Sequence, residues 1–163
     1  MNISRLVVIG AMVLMIGGWG APAVLADFIH IPASEFNVSP SDGMFMGGQF
    51  VYKTDTIGYL TAPVHLPDGA IIKNIRVFYY DNHVSSIQVS LYRRNQYTDD
   101  FTQLFYLQTA EAINSDRFAV DSTCSPAPSY RKVYNNACQY YLRVYFGATG
   151  NDLKIYGVAI EYN

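Results

Sequence analysis

Residues 138–146 read CQYYLRVYF, and their alternation decides the architecture. Tyr140, Leu142, Val144 and Phe146 share one parity, and Gln139, Tyr141, Arg143 and Tyr145 share the other. A strand turns successive side chains to opposite faces, whereas a helix returns to one face every three or four residues, so this stretch reads as a strand with one apolar face. The same period recurs in NIRVFYY (74–80), where Ile75, Val77 and Tyr79 oppose Asn74, Arg76, Phe78 and Tyr80. It recurs again in SSIQVSLYR (85–93), where Ile87, Val89 and Leu91 oppose Gln88, Ser90 and Tyr92.

Further strands are expected at 28–31, 49–53, 57–62, 101–109, 117–120 and 153–162. In the last, Leu153 and Ile155 fall on one parity and Val158 and Ile160 on the other, so the phase slips at Tyr156-Gly157. A β-bulge at Gly157 accounts for the slip. Clusters of turn residues separate the runs: PSDGMFMGG (40–48), LPDGA (66–70), YDNH (80–83), NQYTDD (95–100), SPAPS (125–129) and GATGND (147–152). In LPDGA, Pro67 presets a backbone angle, Asp68 caps, and Gly69 takes a positive φ. No stretch sustains a helical period. Many short strands punctuated by turns predict an all-β fold, an antiparallel β-sandwich, jelly-roll-like in preference to immunoglobulin-like. The immunoglobulin Cys–Trp–Cys pattern is missing, because the only tryptophan, Trp19, precedes every strand.

Residues 1–26 carry one cation, Arg5, then an apolar run broken at Gly17-Gly18 and closed by Val24-Leu25-Ala26. This is the pattern of a secretory signal peptide, and the run is shorter than the roughly 20 residues of a spanning helix. Residues 27–163 are then expected as a single exported domain, secreted, extracellular or periplasmic, with no membrane insertion after cleavage. The chain has 11 basic and 13 acidic groups, net −2, which offers no footprint for nucleic acid. Cys124 and Cys138 are the only cysteines, and an even count in an exported chain predicts a structural disulfide, stabilising by about 3 kcal/mol for a loop of this length.

Taken together, APVHLPDGAIIKNIRVFYYDN (62–82), VSLYRR (89–94), YYLRVYF (140–146) and LKIYGVAIEY (153–162) resemble a group of exported bacterial β-sandwich proteins of uncharacterised function. The resemblance spans most of the chain after the leader and implies the fold and export. It carries no catalytic residues.

Nothing in the motifs argues for an enzyme. The G-x-S-x-G elbow is absent. His30, His65 and His83 sit singly, His65 beside a turn and His83 within one. Asp42, Asp68, Asp81, Asp99, Asp100 and Asp152 all fall in turn clusters, where aspartate caps backbone, and Glu35, Glu111 and Glu161 stand apart from one another. No metal site and no cofactor is expected. Structural calcium would draw on YTDD (97–100) and YDN (80–82), yet the D-x-D-x-D-G spacing of a dedicated loop is missing and solvated turn aspartates are the preferred reading.

The distinctive feature is aromatic, with 14 tyrosines and 9 phenylalanines. If Ile75, Val77, Ile87, Val89, Leu142 and Val144 line the core, then Phe78, Tyr80, Tyr92, Tyr141 and Tyr145 face outward with Arg76 and Arg143. Tyrosine joins a flat apolar body to a hydroxyl, which suits stacking on sugars or packing against a protein chain. The candidate ligand or partner face is therefore Phe78, Tyr80, Tyr92, Tyr141, Arg143 and Tyr145. The first expectation is a non-catalytic protein of cell-surface or extracellular assembly, whose partner is another protein chain or itself, joined through that face or through an arm at 27–48 that adds a strand to a neighbour. The alternative is a carbohydrate-binding module that takes a polysaccharide on the outward tyrosines.

Overall fold

The computed structural model describes residues 26–38, 43–55, 58–109, 113–121 and 128–163. Their strands are β1 (Asp27–Pro32), β2 (Asn37–Val38), β3 (Met44–Met46), β4 (Val51–Lys53), β5 (Tyr59–Val64), β6 (Ile72–Asp81), β7 (Ile87–Asn95), β8 (Phe101–Gln108), β9 (Ile113–Asp121), β10 (Cys138–Phe146) and β11 (Leu153–Tyr162). Every pairing is antiparallel. The first sheet runs β3-β4-β11-β6-β9, with β1 also on β11, and the second runs β2-β5-β10-β7-β8.

The order is nested: β4 pairs β11, β5 pairs β10, β6 pairs β9 and β7 pairs β8. One long antiparallel hairpin rolled across two sheets produces this order, which is the jelly roll. The inward parities read from sequence are the ones enclosed. Ile75, Val77, Ile87, Val89, Leu142 and Val144 are all fully buried, in one cluster with Leu60, Phe105 and Phe146. Apolar burial from both sheets is the main stabilising term.

The bulge at Gly157 is present, with the β11–β6 register shifting between Ile155 and Gly157 so that Leu153, Ile155, Val158 and Ile160 all point inward. Glycine is needed here for space. A Cβ would lie 2.7 Å from the Ile31 carbonyl oxygen of β1, closer than any packed contact. The turn after β5 closes with the Ala70 amide donating to the Pro67 carbonyl at 3.2 Å, and Gly69 has φ +80.

Two expectations are corrected. The start of the arm expected at 27–48 is already docked: β1 pairs with β11 from Asp27–Tyr162 to Pro32–Gly157, and Ala33 and Phe36 are buried in the core. β1 therefore already has a strand partner within its own chain. Part of PSDGMFMGG, taken as a turn cluster, is strand β3, paired with β4. Cys138 opens β10 on its inward parity and is buried in the core, while Cys124, its expected disulfide partner, lies outside the described residues.

Asp81, expected to cap a turn, does more. Its Oδ1 accepts the His83 amide at 3.2 Å, and its Oδ2 accepts the Thr109 hydroxyl. Thr109 Oγ1 in turn accepts the Ile87 amide at 2.8 Å. This buried relay ties the end of β6 in one sheet to β7 and the end of β8 in the other.

Candidate functional site

The outward parity of the second sheet builds a four-row surface. Cross-strand register aligns Pro63, Tyr141, Tyr92 and Gln103 in one row and Thr61, Arg143, Ser90 and Tyr106 in the next. On either side stand Tyr59, Tyr145, Gln88 and Gln108, and Gln139, Arg94 and Phe101. Adjacent strands hold such neighbours close enough for side chains to touch, so each row is a set of direct contacts.

Tyr92 and Tyr141 lie 5.4 Å apart at an interplanar angle of 15°, a stacked pair. Phe101 meets Tyr141 edge-on at 6.4 Å, and Tyr59 and Tyr145 pair at 5.2 Å. The Arg143 guanidinium sits 3.4 Å from the Tyr59 ring centre, and Arg94 covers Phe101 at 5.4 Å while donating to Asp99 at 2.6 Å. Tyr92 donates to Gln103 at 3.4 Å, and Tyr106 donates to Gln108 at 3.0 Å. Beside the Tyr92–Tyr141 pair opens a concavity of about 750 Å³, lined by Pro63, His65, Arg94, Phe101, Gln139 and Tyr141 among others. Burial raises the Tyr141 phenol above the usual tyrosine range, as does the neighbouring Tyr92, against the opposing pull of Arg143 and Arg94.

The six candidate face residues divide between the two sheets. Tyr92, Tyr141, Arg143 and Tyr145 come together on the second sheet, whereas Phe78 and Tyr80 lie on β6 in the first, on the opposite outer face. Alternation within a strand assigns inward or outward but not which sheet a strand joins, so one sequence pattern produced two surfaces. Around Tyr80 the first sheet has its own aromatic group: Phe45 and Tyr52 at 5.1 Å, Phe50 edge-on to Tyr156 at 6.1 Å, and Lys154 4.8 Å from Tyr80. Phe78 borders a cavity of about 220 Å³ with His30, Tyr156 and Gly157.

Three aromatic members of the second face were missed, Tyr59, Phe101 and Tyr106. Tyr59 was within reach, since Tyr59 and Thr61 alternate with Leu60 and Ala62. Phe101 was hidden by a register shift in the β7–β8 pairing, where Leu104 and Phe105 are both buried and the parity of β8 inverts. His65 is exposed just past β5, as expected. Among the described residues no three His, Cys, Asp or Glu side chains converge on a point that would hold a metal ion.

No protein-family model matches the chain, and no curated protein sequence matches it. Solved structures do. The C-terminal CBM6, a carbohydrate-binding module, of LamC, a marine laminarinase from Zobellia galactanivorans, is similar with a TM-score of 0.54 at 14% identity over 82% of this chain and 98% of that one. A xylan-binding module, CBM15, is similar with a TM-score of 0.53 at 10% identity over 83% and 95%. The CBM22-1 and GH10 modules of Clostridium thermocellum endo-1,4-β-D-xylanase 10B, complexed with xylohexaose, give 0.52 at 12% identity over 86% of this chain and 28% of that one. At such identities the likeness is one of fold, the jelly-roll β-sandwich.

Proposed function

We propose that the chain is an exported, non-catalytic carbohydrate-binding module whose site is the outward face of the second sheet. The observation that carries this reading is the stacked Tyr92–Tyr141 pair, set beside a concavity edged with hydrogen-bonding side chains. Sugar rings present apolar C–H faces and hydroxyl edges. Tyrosine rings offer the first a surface, and Gln139, Arg94 and His65 offer the second donors and acceptors. The fold shared with carbohydrate-binding modules is consistent with this use.

Cleavage of a glycoside commonly needs two carboxyl groups across the bond, and the described lining of the concavity contains neither aspartate nor glutamate, which supports binding over hydrolysis. The assembly reading loses its arm, because β1 is paired with β11 of the same chain. No helix among the described residues is long and apolar enough to cross a membrane. Export rests on the leader pattern at 1–26.

Native affinity electrophoresis through gels containing xylan, laminarin or polygalacturonate tests the proposal. Mobility of the full chain falls in at least one gel, the fall is lost in a Tyr92→Ala, Tyr141→Ala double variant, and it survives in Phe45→Ala, Tyr52→Ala. Unaltered mobility in all three gels, or equal retardation of the Tyr92/Tyr141 variant, would overturn it.

A further inference from the structure

Charge is distributed unevenly between the sheets. The strands of the second sheet contain Arg93, Arg94 and Arg143 and not one aspartate or glutamate, in a chain whose acids outnumber its bases 13 to 11. The strands of the first sheet balance Asp27, Asp81, Asp116, Asp121 and Glu161 against Lys53, Lys73, Arg76, Arg117 and Lys154, so only the second sheet carries cations alone. Segregation of this kind gives one outer face a positive field despite the net negative chain.

The three arginines are not equivalent. Arg93 turns off the face and lies 4.8 Å from the Tyr130 ring. Arg94 is held by Asp99 at 2.6 Å. Arg143 stands in the middle of the face, on the row after Tyr141 and Tyr92, stacked on Tyr59 with no hydrogen-bond acceptor or carboxylate on its side chain among the described residues. Its direct strand neighbours Thr61 and Ser90 are short, with Tyr106 beyond Ser90 at the end of the row. Stacking on a ring engages the guanidinium face and leaves its in-plane N–H fork free, the geometry that grips a carboxylate or sulfate with two bonds.

Resting on the carbohydrate-binding reading, we propose that this face takes an anionic polysaccharide, with sugar rings against Tyr92 and Tyr141 and an acidic substituent, carboxylate or sulfate, on Arg143. A neutral chain would stack equally well but would leave the fork to water. A polyanion also meets no like charge along the strands it crosses.

Isothermal titration calorimetry on the full chain tests this with charged and uncharged twins of one backbone. The pairs are polygalacturonate with its methyl ester, and a sulfated galactan with its desulfated form. At least one charged member binds about tenfold tighter than its twin, and added salt narrows the gap. Arg143→Gln removes the difference, and Arg143→Lys, which keeps the charge without the fork, restores only part of it. Tyr141→Ala weakens both twins. Circular dichroism verifies that each variant is folded. Uncharged twins binding as tightly, or a preference that survives Arg143→Gln, would overturn the anionic ligand and leave the glycan reading standing. Charged binding indifferent to Tyr141→Ala would reduce the effect to generic polyanion attraction and overturn the proposal. No binding by any polysaccharide would sink both readings.

Discussion

Tyr140 and Tyr141 are adjacent in β10, and alternation sends them to opposite faces. Tyr140 enters the core, where its hydroxyl accepts the Tyr134 amide at 3.1 Å and burial pushes its phenol above the usual tyrosine range. Both phenols hold their proton longer folded than unfolded, so their contribution is intact below the unfolded value of about 10 and is lost as pH rises through the raised folded values. The urea midpoint should therefore be flat up to about pH 10 and fall above it, with the fall smaller in Tyr140→Phe. An identical alkaline fall in that variant would contradict the assignment. Asp81 makes a second prediction at this scale. Asp81→Ala leaves the Thr109 hydroxyl and the His83 amide without their acceptor, and stability should drop by about 1–3 kcal/mol with an unchanged denaturant slope. The sequence placed Asp81 at a turn correctly, but the reach across sheets was invisible there, because Thr109 is 28 positions away.

At the scale of elements, β10 and β11 begin and end where the alternation does, and the phase slip at Tyr156-Gly157 marks the bulge. These elements were legible because one face of each is buried, and a single-residue slip would turn that whole face to water. β3 and the inverted half of β8 were not legible. Met44–Met46 is three residues long, and β8 buries two consecutive side chains where period two predicts one. The Gly157 contact ties the bulge to the docking of β1. Gly157→Val should destabilise by about 1–3 kcal/mol, and in hydrogen exchange the amides of β1 should lose protection while those of β10 keep it. Uniform protection in the variant would show that β1 does not depend on that approach.

For the whole molecule, the two-sheet sandwich followed from hydrophobic period and turn chemistry, since these are local signals summed along the chain. Which strands share a sheet did not. That pairing is set by contacts distant in sequence, and it is what separated Phe78 and Tyr80 from Tyr92, Tyr141, Arg143 and Tyr145. The candidate site thus moved from one imagined surface to a particular face, gained Tyr59, Phe101 and Tyr106, and came to border a concavity. The first sheet, with Phe45, Tyr52 and Tyr156, remains the internal comparison, an aromatic surface of similar composition on the other side. The most direct measurement is therefore a map of backbone amide chemical shifts during titration with xylohexaose and with a galacturonate hexamer. The account predicts that at least one of them shifts amides in 59–65, 88–94, 101–106 and 139–145, saturably and as one set. Shifts confined to β4, β6 and β11, or none with either oligosaccharide, would contradict it.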